Sequence, residues 1–123
     1  MGTFRSFEDI QAWQKARKVT KMVYEMTAAG EFAKDYGLRD QIRRASVSIM
    51  ANIAEGFGRR SDQEFANFLN MAHGSTSEVQ SHLYAALDLS YIDQASFTKL
   101  YDLLNEVSRM TLVLPRHLRP PEP

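Results

Sequence analysis

The chain has 123 residues, no cysteine and a balanced charge, 15 basic side chains against 15 acidic. That length supports one hydrophobic core, and the missing cysteines exclude disulfides and thiolate metal sites. No apolar run approaches the ~20 residues that cross a bilayer, and "MGTFRSFEDIQAW" lacks the apolar segment of a secretory signal, so the sequence predicts a cytoplasmic protein with no membrane contact.

Four helices are predicted, near 7–29, 35–55, 61–89 and 93–114. In the first, Ser6 is the cap with Asp9 three residues on, and Ile10, Trp13, Ala16, Val19, Val23 and Met26 recur at the spacing of one helix face. Gly30 is read as its stop. Leu38, Ile42, Ala45, Ile49 and Ile53 form the stripe of the second helix, with Gly56 as a left-handed C-terminal cap. The third opens on Ser61-Asp62-Gln63-Glu64, a capping box, and continues through Phe65, Leu69, Ala72, Thr76, Val79 and Leu83. The fourth follows Asp93 as N-cap, runs through Phe97, Leu100, Leu104, Val107 and Thr111, and ends before Pro115. The domain is expected to span 1–114, with a disordered tail over 115–123. Long helices joined by short connections predict an all-α, antiparallel up-down four-helix bundle. Ile49, Leu69, Leu83 and Leu104 are predicted core residues.

The second helix carries a narrow polar stripe beside its isoleucines. Gln41, Ala45, Ser48, Asn52 and Glu55 align at steps of three and four. These small residues predict close approach by another helix, with Asn52 and Glu55 hydrogen-bonding across the contact, because a buried polar group must be paired. In the third helix Gly74, Ser75 and Glu78 are read as the complement. Val47, Met50, Ala51 and Ala54 make the second helix apolar on more than one side, which predicts self-association.

Charge is uneven along the chain. Residues 61–92 hold four acids and no Lys or Arg, whereas residues 1–30 and 31–60 each carry a net +2. Arg43, Arg44, Arg59 and Arg60 mark the two ends of the second helix, and Lys15, Arg17, Lys18 and Lys21 form a second basic patch. The functional reading of both is contact with nucleic-acid phosphate; such contacts are nearly blind to sequence and steeply salt-dependent. Oligomeric symmetry would multiply a weak patch. No Glu-x-x-His pair of a di-iron bundle occurs. Nor does a Ser-His-acid spacing, a glycine-rich phosphate loop or a paired-carboxylate cleft. The sequence therefore predicts no enzymatic activity, no cofactor and no metal.

"FEDIQAWQKA" (7–16), "YGLRDQIRRASVSIMANIAEGFGR" (36–59), "SDQEFANFLNMAHGSTSEVQ" (61–80) and "RMTLVL" (109–114) resemble the bundle proteins encoded by intervening sequences in bacterial 23S ribosomal RNA genes, the S23 ribosomal protein family. The resemblance covers roughly 6–114. It implies an antiparallel four-helix bundle, a homopentamer, and kinship with the accessory protein of diversity-generating retroelements, a basic pentamer that binds nucleic acid and a reverse transcriptase. This chain departs from that protein in being neutral overall. The resemblance supplies no catalytic residues. Two function classes follow: a nucleic-acid-binding module acting on RNA or DNA, and a protein-interaction scaffold such as an accessory subunit of a nucleic-acid enzyme.

Overall fold

A computed structural model describes residues 4–113. It is all-α, with five helices: α1 (Gln11–Met26), α2 (Gly30–Lys34), α3 (Tyr36–Phe57), α4 (Asp62–Asp88) and α5 (Gln94–Val113), preceded by one 3-10 turn at Phe7–Asp9. The expected helix end at 114 and the tail over 115–123 lie outside the described residues.

The first predicted helix is shorter than its periodicity implied. The Asp9 carboxylate accepts from the amides of Arg5 (2.9 Å) and Ser6 (3.3 Å), closing a separate turn. Ile10 is then extended, with ψ 119°, which drops its side chain fully into the core. The Ile10 carbonyl starts α1 by accepting from the Gln14 amide.

The other end of that prediction also changes. Helix α1 stops at Met26, where the buried Thr27 hydroxyl donates back to the Val23 carbonyl at 2.7 Å. Gly30 is not a stop but a start. Its φ of +68°, open to glycine at no steric cost, swings the chain into α2. That short helix buries Phe32, which stacks on Tyr91 with ring centroids 5.2 Å apart.

Asp35 caps α3 by accepting from the Leu38 amide at 3.2 Å, and it also accepts from the Tyr91 hydroxyl at 2.9 Å. That second bond holds the Tyr91 pKa above the ordinary tyrosine value. Ser61 caps α4 through the Glu64 amide at 3.1 Å. Asp93 caps α5 through the Ser96 amide at 2.8 Å, which pulls its carboxyl pKa down. Between α4 and α5 the chain reverses at Ser90, whose φ of +62° is uncommon outside glycine. The amides of Ser90 and Tyr91 bond back to the carbonyls of Leu87 and Ala86, the paired pattern that closes many helix C-termini.

The four long helices pack in a ring: α1 on α3, α3 on α4, α4 on α5 and α5 on α1, with the most extensive contact between α3 and α4. Thr20 and Thr27 of the α1 side meet Ser46 and Arg43 of α3, and His73 and Gln80 of α4 meet Ser108 and Asn105 of α5. One core runs through the ring. Ile49, Leu69, Leu83 and Leu104 all lie in it, each burial stabilising by about 1.5–3 kcal/mol. No buried side-chain nitrogen or oxygen among the described residues lacks a partner.

Candidate functional site

The polar stripe of α3 sits against α4, but only part of it crosses the contact. The Ser75 hydroxyl donates to the Ser48 hydroxyl oxygen at 3.1 Å, and Asn52 donates to that oxygen at 3.0 Å and to the Ser48 carbonyl at 2.9 Å. Asn52 is thus satisfied within its own helix. Glu55 does not reach across: it is exposed and pairs with Arg59 one turn on. Glu78 is likewise exposed and lies 3.2 Å from His82 of its own helix. A long carboxylate side chain reaches solvent from these outer positions and avoids the cost of burying a charge.

The close approach comes from a different glycine. A Cβ on Gly56 would lie 2.5 Å from the Phe68 Cβ and 3.1 Å from the Phe65 ring. Gly56 is therefore a buried packing residue within α3 and not its cap. The helix runs on to Phe57, and Gly58 ends it with a right-handed φ of −78°. A Cβ on Gly74, in contrast, would meet nothing within 4 Å, so α4 needs no glycine there for its packing against α3.

The arginines of α3 and of the turn after it do not form one surface. Arg43 is half-buried: its Nε donates to the Thr27 hydroxyl at 2.8 Å, and its guanidinium sits 4.4 Å from the Tyr24 ring centroid. Arg59 pairs with Glu55 and lies 4.8 Å over the Phe68 ring. Fourteen residues of helix, about 21 Å, run from Arg43 to the end of α3 at Phe57, and Arg59 lies two residues beyond. Arg44 is exposed, as is Arg60.

The second basic patch is arranged differently. Gln11, Gln14, Lys15, Arg17, Lys18 and Lys21 line a shallow groove of about 560 Å³ along the outer face of α1, and no carboxylate belongs to its lining. Their spacing puts Gln14, Arg17, Lys18 and Lys21 on the side away from buried Ala12, Ala16, Val19 and Val23, with Lys15 on the flank toward α5. Lys15 Nζ is 3.2 Å from Glu106 Oε1 of α5. Arg17 lies 5.9 Å from the Trp13 ring centroid. Lys18 and Lys21 are exposed and have no ion-pair partner among the described residues. Gln11 and Gln14 were not singled out in the sequence, although their register with Lys18 and Lys21 marks the same face.

Among the described residues no three histidine or carboxylate side chains are grouped to hold a metal ion, and no helix is long and apolar enough to cross a membrane.

No curated protein matches the chain. The fold is similar to the crystal structure of a protein with unknown function from the S23 ribosomal protein family of Bacteroides thetaiotaomicron. The TM-score is 0.77 at 21% identity, over 85% of this chain and 98% of that one; at such identity the likeness carries the fold. The model of the 23S rRNA-intervening sequence proteins matches residues 8–112, and with that span the chain belongs to the 23S rRNA-intervening sequence protein family.

Proposed function

We propose that this protein is a non-enzymatic, cytoplasmic, antiparallel up-down four-helix bundle that self-associates and holds the phosphate backbone of RNA or DNA along α1. The observation that supports the binding role most is the α1 groove, which gathers four cations and two amides with no acid in its lining. Arg44 and the exposed Arg59 are peripheral contributors to such binding, while the half-buried Arg43 is engaged within the chain. A neutral monomer offers few phosphate contacts. A homopentamer, the assembly the family resemblance implies, repeats the groove five times and converts weak contacts into retention.

Self-association is supported by apolar side chains left exposed on α3 and α4, Val47 at 41% and Met71 at 48%. The same exposed side chains favour the second reading, an accessory subunit that docks on a nucleic-acid enzyme such as a reverse transcriptase.

Two measurements test the proposal. Light scattering should give a multiple of 14.1 kDa; the monomer mass at micromolar concentration rejects self-association. Fluorescence anisotropy against a panel of unrelated RNA and DNA sequences should show similar affinities that fall steeply with salt. Absence of binding at low salt rejects the phosphate role and leaves the accessory-subunit reading.

A further inference from the structure

This inference rests on the phosphate reading of α1 and concerns what limits it. Two grooves meet at Lys18 and Lys21. The first is the acid-free one. The second, of about 490 Å³, follows the α1–α5 seam, and Glu25, Asp102 and Glu106 line it beside Lys18, Lys21 and Lys99. Of these acids Glu106 alone is ion-paired to a cation of the first groove, Lys15, with side chains 41% and 30% exposed. A pair that exposed is held weakly and is screened by salt, so an incoming phosphate competes with the carboxylate on near-equal terms.

We propose that Glu106 is a built-in competitor for the polyanion: in the free protein it occupies Lys15 and sets how many cations the α1 groove offers. With Glu106 in place, Arg17, Lys18 and Lys21 meet phosphate while Lys15 is neutralised. Without its charge, a fourth cation becomes available and the α5 wall repels less. Asp102 and Glu25 act in the same sense from the same seam. They bias the phosphate track toward Gln11 and Arg17 and away from α5. Glu106 is thus a positioning and affinity-setting residue of the groove.

The test uses full-length protein and a fluorescein-labelled oligouridine, titrated with salt, after each variant is matched to wild type in mass. Glu106→Gln should tighten binding roughly 2- to 5-fold at low salt, the range of one exposed ion pair. It should also steepen the log–log salt slope by about 0.7, the increment for each single-strand phosphate neutralised. Adding Lys15→Gln should return both affinity and slope to wild-type values. Asp88→Asn makes the same change in net charge at the last residue of α4, outside both grooves, and should change neither by a comparable amount. Glu106→Gln indistinguishable from wild type, or Asp88→Asn with an equal gain, overturns the proposal while the phosphate reading stands. Wild-type protein that does not bind at low salt overturns that reading and the proposal with it.

Discussion

Between α3 and α4 small residues stand at the contact: Gly56 makes room for Phe65 and Phe68, and Ser48 meets Ser75. Between α1 and α5 they are long: Lys18, Lys21, Met22 and Glu25 face Lys99, Asp102, Leu103 and Glu106 across an open groove. Small side chains let two backbones approach, so their polar groups close on one another in a partly buried contact. Long amphipathic side chains cover apolar surface with their stems and keep their charges in water, so the seam stays accessible. One seam therefore carries stability and the other carries charge that a ligand can reach. The two should respond to mutation in opposite ways, thermal stability at the first and polyanion affinity at the second.

The largest expected effect is in the core that both seams enclose. Ile49→Ala, at a fully buried site, should cost about 2–5 kcal/mol, read by urea unfolding monitored by circular dichroism. Next comes the tight seam itself. Gly56→Ala places a methyl where Phe68 already stands and should cost about 1–3 kcal/mol through overpacking. Gly74→Ala, with open space around it, should gain up to about 1 kcal/mol from helix propensity alone. Opposite signs for the two glycines in thermal melts would sharpen the comparison; equal signs would break it. Ser75→Ala removes one donor from the Ser75–Ser48–Asn52 chain and should cost about 0.5–1.5 kcal/mol. Lys18→Gln with Lys21→Gln, on the open seam, should stay within about 0.5 kcal/mol of wild type.

How much of the molecule is legible in the sequence depends on what each residue meets in three dimensions. The stripes of α3, α4 and α5 are long and regular, so Ile42 to Ile53, Phe65 to Leu83 and Phe97 to Thr111 announce their core face directly. Helix α2 escapes notice because five residues give no periodicity, and its single buried anchor, Phe32, looks like any loop aromatic. Ile10 fits the α1 stripe whether helical or extended, so its break with the helix leaves no mark in the pattern. Gly56 reads as a cap because a glycine near a helix end usually is one; only the position of Phe68 reveals the packing role. The cations themselves are plain in the sequence. Which of them stay open is not, since Arg43 is taken up by Thr27 and Tyr24, sixteen or more positions earlier in the chain.

That division among cations is the central claim, and salt-dependent binding tests it most directly. Affinity for one labelled RNA should be measured across a salt series for wild type, for Arg17→Gln/Lys18→Gln/Lys21→Gln on α1, and for Arg43→Gln on α3. Mass and melting temperature are compared first. The α1 variant should lose most of its low-salt affinity and flatten the log–log slope by about 2, at about 0.7 for each phosphate that is no longer neutralised. The α3 variant should keep a near wild-type slope even where its stability drops. A flattened slope in the α3 variant with an unchanged slope in the α1 variant would contradict the account.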